Sequence, residues 1–452
     1  MGWQGIDIFT LFDFVLAPFY LFIIYSSASY FSKKYAGQSK YQYYWKALHL
    51  RMIGCFMSVM MYQYYYHGGD MFGFYSATST MLELLFKDFA LGFDLMTATP
   101  ETIPNEAHYS VWTSKGSYIF RSANSMLVSQ IGAFLGLLTF NSCFATGLIL
   151  AYFSFIGCWK LFEVFAEVHP RLEKYIAWAT LYIPSVFFWG AAGLMKDTIT
   201  MASIGFFTWS AYNIFFKRRY LLKATFFLVI SYLLLLTIKA YIAVAFLPAF
   251  AAWLVLSYGE KIKNKTMRMI AKPLFITIAI AVSLILFQGI TKSNEKYSPE
   301  AFIANAQVMQ EDHARLGGST YTLGTIDPSP SGMLKMAPFA IIVTLFRPYL
   351  WEARSPILLI SALEGLLFLV ITIFVIIRTY VVGAFYTIIS EPTVLFCIIF
   401  SLVFSFAVGF TAYNFGALAR FKIPAIPFYA IALIIMLDKV HFFKFDKEED
   451  SE

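Results

Sequence analysis

Five short stretches of this chain set acids and bases beside turn-forming, small or aromatic residues, and each lies at the end of an apolar run. In His67-Gly68-Gly69-Asp70 two glycines permit a tight turn that would hold a carboxylate at a membrane surface. There Asp70 can take a proton from a hydroxyl or ligate a cation, or simply cap the next helix. From Pro184-Ser185 to Lys196-Asp197 a small-residue hairpin brings a cation and an anion together, a pattern that also fits a snorkelling lysine and a helix-start cap. Lys239, in Leu236-Thr237-Ile238-Lys239-Ala240-Tyr241, sits at the turn of an otherwise apolar hairpin. A charge inside a bilayer costs roughly 3 kcal/mol on insertion scales, so it either meets a partner or a wet cavity or snorkels to the interface. Arg347-Pro348-Tyr349-Leu350-Trp351-Glu352-Ala353-Arg354 offers guanidinium forks that match phosphate oxygens and an indole that covers a sugar or an acyl chain. Arginine and tryptophan are also ordinary interfacial anchors. The fifth stretch runs from Arg420 through Lys422 to Pro424 and Pro427.

The elements that position these residues are apolar helices. Of 452 residues 59% are hydrophobic and 13% charged, with a mean hydropathy of +0.66. That is too apolar for a soluble fold of this size. Spanning a bilayer takes roughly 20 apolar residues per helix. About eleven such runs can be threaded, at 8–30, 48–66, 143–165, 175–192, 197–215, 222–238, 241–257, 272–290, 357–377, 391–412 and 421–437. The expected fold is therefore all-α: one polytopic membrane domain over 1–452. No basic region precedes the first run and no small-residue cleavage site follows it, so it reads as a retained helix. Cys55, Cys143, Cys158 and Cys397 have no partner at ligand spacing and read as small core residues.

The formal charge of +7 is explained by topology rather than by nucleic acid. Basic residues cluster in short loops: Lys33, Lys34, Lys40, Lys46 and Arg51; Lys217, Arg218, Arg219 and Lys223; Lys261, Lys263, Lys265, Arg268 and Lys272. By the positive-inside rule these face the cytoplasm, which puts the N-terminus outside and the C-terminus inside, with 438–452 a cytoplasmic tail. Two polar segments then fall outside, 67–142 with six acids against three bases and 291–356 with six of each. Within the first, 73–95 reads as an amphipathic helix on the membrane and 125–140 as a re-entrant or interfacial one. Residues 333–346 are a third such segment. The second outer segment, with Tyr297, His313, Arg315, a Gly317-Gly318 pair and the Asp327-Pro328 turn, is long enough to be a lid over a site or a passive loop.

Threaded in this way, the unusual charges collect on the outer face. Asp70, with His67, Lys196, Asp197, Lys239, Arg347, Trp351, Glu352, Arg354 and Arg420, suits an anionic, lipid-attached substrate, with cations holding a diphosphate while a carboxylate activates a hydroxyl. At these residues the chain resembles the bacterial exopolysaccharide and O-antigen polymerase type of membrane glycosyltransferase, of GT-C-like architecture. The resemblance lies in Gly69-Asp70 with Tyr75, in Pro184-Ser185 through Lys196-Asp197, and in Arg420 through Pro427.

The resemblance implies glycosyl transfer from a polyprenyl-diphosphate-linked sugar on the outer face of a bacterial inner membrane, with membrane lipid and lipid-linked glycan as partners. It would make Asp70 the base and Arg347 and Arg420 the diphosphate ligands. The first outer segment lacks the paired acids of many GT-C enzymes, which leaves a divalent cation open as a cofactor. Two other classes remain: a transporter or flippase for an anionic or lipid-linked solute, and a noncatalytic assembly component. ATP-binding glycine loops, HExxH, GxSxG and zinc patterns are all missing from the sequence.

Overall fold

The computed structural model describes residues 3, 5–35, 37–260, 299–316, 318–324, 327 and 329–443. The run 272–290, the basic residues from Lys261 to Lys272, Tyr297, Gly317, Pro328 and the acidic tail from Asp446 lie outside the described residues. Every regular element among the described residues is helical, and the one strand-like contact there is an isolated antiparallel bridge between Thr320 and Asn414. Among the described residues five helices are long and apolar enough to cross a membrane, and a sixth crossing is made if one pair bent by 66° counts as a single span. The chain is a membrane protein, all-helical over the described residues.

The helices fall into two compact units, Met1–Glu173 with Thr180–Ala240, and Lys174–Ala179 with Tyr241–Glu452. The first unit contains α1 (Asp13–Lys34), α2 (Tyr44–Met61), α3 (Asp70–Lys87), α4 (Phe89–Thr97), α5 (His108–Thr113) and α6 (Ala123–Leu138). It continues with α7 (Cys143–Val168), α8 (Pro184–Trp189), α9 (Lys196–Tyr212) and the start of α10 (Leu221–Glu260).

The ends of these helices follow from their sequence. Ser142 caps α7 by accepting from the Ala145 N–H at 2.9 Å, satisfying one of the amide donors that a helix start leaves orphaned. Gly68 and Gly69 precede α3 at φ +157° and +98°, and a Cβ on Gly68 would strike the Trp3 indole. The tight turn expected there is therefore present and requires glycine.

α7 is the axis of the first unit, with α1, α2 and α9 packed against it. Lipid tails are as apolar as leucine, so packed helices gain little from leaving lipid and must instead bring their backbones close. Here they do: a Cβ on Gly157 of α7 would meet the Ala202 carbonyl oxygen of α9 at 2.5 Å, and one on Gly205 would overlap the Gly157 carbonyl. The opposite surfaces stay apolar and open, as at Phe14, Phe19 and Phe22 of α1 and Phe153 of α7.

Two of the basic loops share one end of this unit. Lys217 and Arg219 pair with Glu167, at 2.9 and 2.5 Å, and Lys40 lies 3.9 Å from Glu163, all at the C-terminal end of α7. Arg51, counted with the first loop, is instead inside α2 and inaccessible. Its guanidinium donates to Ser154 Oγ at 3.0 Å and to Cys158 Sγ at 2.7 Å. All four cysteines are buried and free.

The second unit holds the end of α10, then α11 (Pro299–Leu316), α12 (Pro330–Phe346), α13 (Pro356–Ser390), α14 (Pro392–Gly409), α15 (Phe415–Phe421) and α16 (Ile426–Lys439). Its core is aromatic: Phe246 stands between Phe396, Phe400 and Phe428, and Trp253 stacks on Phe396 at 4.9 Å. α15 and α16 are the bent pair. The run predicted at 125–140 is α6, whose 16 residues reach about 24 Å, short of a hydrocarbon core.

Because the α7–α9 contact is backbone against backbone, Gly157→Leu is expected to cost more than the roughly 1–3 kcal/mol of ordinary overpacking. Phe153→Ala, on the open face of the same helix, should be near neutral. Fluorescence-detected melting of the two detergent-solubilised variants checks this, and equal melting temperatures would contradict the contact.

Candidate functional site

In the first unit, His67 lies in the left-handed region at φ +50°, exposed, where the chain turns toward α3. Asp70 is the first residue of α3 and half-buried. Its carboxylate faces Tyr118: burial first, and then the Asp70 charge, push the Tyr118 hydroxyl up to about 12. Lys196 opens α9, where its Nζ donates to Ser125 Oγ at 2.8 Å and stands 5.9 Å from the Phe74 ring. Phe74 is one helical turn from Asp70, so the start of α9 approaches the start of α3.

Asp197 and Lys239, read separately from the sequence, form one pair. Lys239 Nζ lies 2.6 Å from Asp197 Oδ1, and the two residues are 5% and 2% exposed. The pair is too enclosed to be a snorkelling lysine and a surface cap. Lys239 also interrupts α10 with non-helical backbone at φ −147° and ψ +73°, so the chain bends its path to make the contact. Beside it Thr198 Oγ1 is buried with no hydrogen-bond partner.

In the second unit the α12–α13 connection is organised around Arg347. Its guanidinium donates from Nε to Glu352 Oε2 at 3.0 Å and from Nη2 to Glu352 Oε1, and it lies 5.1, 5.6 and 5.9 Å from the rings of Phe415, Tyr349 and Tyr321. The Tyr349 N–H donates to the same carboxylate at 2.8 Å. Burial alone pushes the Glu352 carboxyl up, but the Arg347 guanidinium and the Tyr349 N–H outweigh it and hold it below its ordinary range.

Trp351 is 81% exposed and stacks on Tyr349 with ring centres 5.0 Å apart. Arg354 is exposed and reaches the Gly318 carbonyl at 3.5 Å. Arg420 is half-buried against the Phe421 ring. Lys422, not selected from the sequence, is the most enclosed cation of the group at 1% exposed, and its Nζ donates to the Arg347 carbonyl at 3.2 Å. Its i+2 spacing from Arg420 was visible, but nothing in the sequence says which of the two turns inward.

The segment 318–324 is pinned here as well. Tyr321 N–H donates to the Tyr413 carbonyl at 3.2 Å, Phe415 N–H donates to the Ser319 carbonyl at 2.9 Å, and Tyr321 Oη donates to the Gly409 carbonyl at 2.9 Å. Residues 319–321 are thus fastened over the start of α15, beside Arg347. Among the described residues no group of three histidine, cysteine, aspartate or glutamate side chains is placed to hold a metal ion.

The sequence also left unremarked a polar cavity of about 480 Å³ in the first unit, lined by Asp7, one face of α3 from Tyr75 to Lys87, one face of α5, and Asn141. Four serines and two threonines line it. A run of hydroxyl residues at helical spacing, Ser76, Ser79, Thr80 and then Glu83, is the signal that finds it.

No protein-family model matches this chain, and neither does any curated protein or solved structure. The fold and the geometry of these side chains therefore carry the functional reading.

Two outcomes test the geometry. Removing one member of a buried ion pair costs roughly 3–5 kcal/mol, because the other is left uncompensated. Lys239→Met is accordingly expected to lower the melting temperature steeply, and Lys239→Met combined with Asp197→Leu to recover much of the loss. Glu352 is the usual carboxylate case: its folded value is depressed, so its stabilisation is present above the ordinary value near 4.5 and is lost as pH falls through the lower folded value. The melting difference between wild type and Glu352→Gln, about 1–3 kcal/mol at pH 7 from the lost charged hydrogen bonds, should shrink on acidification below pH 4.5.

Proposed function

We propose that this protein transfers glycosyl units from a polyprenyl-diphosphate-linked sugar on the non-cytoplasmic face of a bacterial inner membrane, in the manner of exopolysaccharide and O-antigen polymerases. On this reading the chain crosses about eleven times, GT-C-like, with the N-terminus outside and the C-terminus in the cytoplasm. The positive-inside rule supports that orientation, since the loops at 33–46 and 217–223 share one end of the first unit.

The observation that carries the reading is the arrangement around Arg347. One edge of its guanidinium is fixed by Glu352 and its faces are walled by aromatic rings, so the remaining N–H donors are held in place before a ligand arrives. Preorganised donors in a water-poor site stabilise charge that develops on a leaving group far better than mobile ones do. A diphosphate departing from the anomeric carbon develops such charge. Arg347 and Arg420 take it in this proposal, Lys422 adds positive potential from behind, and the exposed Trp351 covers the polyprenyl chain or the sugar. Asp70, a residue of the first unit, is assigned the proton of the acceptor hydroxyl on the resemblance alone. The bond from the anomeric carbon to the diphosphate oxygen breaks as the new glycosidic bond forms, and the proton leaves on the carboxylate.

Transport of a lipid-linked anion is the second reading, favoured by the non-helical backbone at Lys239 within α10 and the 66° bend between α15 and α16. Transporters place their sites at interrupted helices of this kind.

Cells separate the two. Arg347→Ala and Asp70→Asn, expressed at wild-type level, are expected to abolish long surface glycan while lipid-linked single units accumulate on the outer face, where an added glycosidase reaches them. Accumulation only on the cytoplasmic face would select transport. Unchanged glycan length in both variants would overturn the proposal.

A further inference from the structure

We propose that the cavity of the first unit is a binding site for a neutral saccharide, and that Glu83 is its principal hydroxyl acceptor. Its volume, about 480 Å³, falls within the roughly 300–1,000 Å³ of small-molecule sites. Its walls have the chemistry of a polyol site. A sugar presents hydroxyls that both donate and accept, so it needs carboxylates, amides and hydroxyls together, with aromatic faces for its C–H surfaces.

Part of the wall is preset. Tyr75 Oη donates to the Asn141 carbonyl at 3.0 Å, and the Asn141 amide nitrogen donates to Ser79 Oγ at 3.1 Å. Asn141 is held in the left-handed region at φ +58°, which aims its side chain back at α3. The wall facing it from the N-terminal segment is Asp7, whose Oδ1 accepts from Gln63 Nε2 at 2.8 Å.

Of the two acids that line the cavity, Glu83 is the one left open. It lies one turn beyond Ser79 on the same face of α3, is exposed to the cavity, and has neither a hydrogen-bond partner nor an ion-pair partner among the described residues. The buried acids of this unit are engaged instead: Asp13 accepts from the Thr10 N–H at 2.7 Å and from Ser142 Oγ, and Asp197 holds Lys239. A carboxylate left open in a hydroxyl-lined cavity is placed to accept from a pair of neighbouring sugar hydroxyls.

The charge balance selects the ligand class. Asp7 and Glu83 against Lys87 leave the cavity net negative, which repels a phosphate or an acidic sugar. The Lys87 ammonium opposes a bare divalent cation in turn. The hydroxyl stripes of α3 and α5 have nothing to offer an apolar ligand.

This inference rests on the cavity alone and stands apart from the transfer reading. The test uses the full chain in nanodiscs and saturation-transfer NMR with three neutral trisaccharides, maltotriose, cellotriose and tri-N-acetylchitotriose. Transfer to at least one is expected. Glu83→Gln should weaken it at least tenfold, and Ser110→Trp, which fills the cavity from α5, should abolish it. Arg347→Ala should leave it unchanged, so a failure of the transfer reading does not masquerade as a failure here. Transfer to none of the three, transfer indifferent to both cavity variants, or displacement by millimolar calcium chloride or inorganic phosphate would each overturn the proposal.

Discussion

The contact between Gly157 and Gly205 is the constraint on which the first unit depends. In lipid the packing of one apolar helix on another gains little from burial, so the closeness of backbones decides which helices stay together. α7 and α9 meet with no side chain between them at this point. The consequence reaches both ends. At one end α9 begins with Lys196 and Asp197, and fixing α9 on α7 fixes where that cation meets Ser125 and where that carboxylate waits for Lys239. At the other end α7 closes with Glu163 and Glu167, which gather two basic loops.

Around this axis the buried charges are nearly all satisfied, and that separates scaffold from site. Arg51 is inaccessible, yet its guanidinium has a hydroxyl and a thiol to donate to, and Asp13 is closed off by backbone and hydroxyl donors. These groups cost desolvation and recover it in hydrogen bonds, which makes them structural. Glu83 and the outer edge of Arg347 are different. They hold charge where a ligand can reach it and where the rest of the polypeptide does not consume it.

Much of the helical fold was legible because the bilayer imposes a length and a composition on every crossing. The runs at 8–30, 143–165, 357–377 and 391–412 each correspond to a helix that passes on both counts. The Gly-Gly turn before Asp70 was legible because only glycine reaches φ near +98° and +157° without strain. What stayed hidden depends on tertiary contact. Arg51 looked like a loop cation because it lies near other cations in sequence, whereas its depth is decided by Ser154 and Cys158 over a hundred residues away. Asp197 and Lys239 were each noticed, but no local spacing announces a partner 42 residues off. Gly157 and Gly205 carry no chemistry to notice at all.

The polar cavity shows how one short helix creates what hydropathy cannot reveal. Residues 70–87 carry two faces. Met81, Leu82 and Leu85 turn inward, while Ser79, Glu83 and Lys87 line the cavity. The inward side is fixed to α6 by reciprocal bonds, Thr78 Oγ1 to the Ser129 carbonyl and Ser129 Oγ to the Phe74 carbonyl, both at 3.0 Å. Gly132 and Gly136 leave room for that approach. α3 is thus apolar where it packs on α6 and polar along the cavity, and the cavity follows from that division of one helix between two faces.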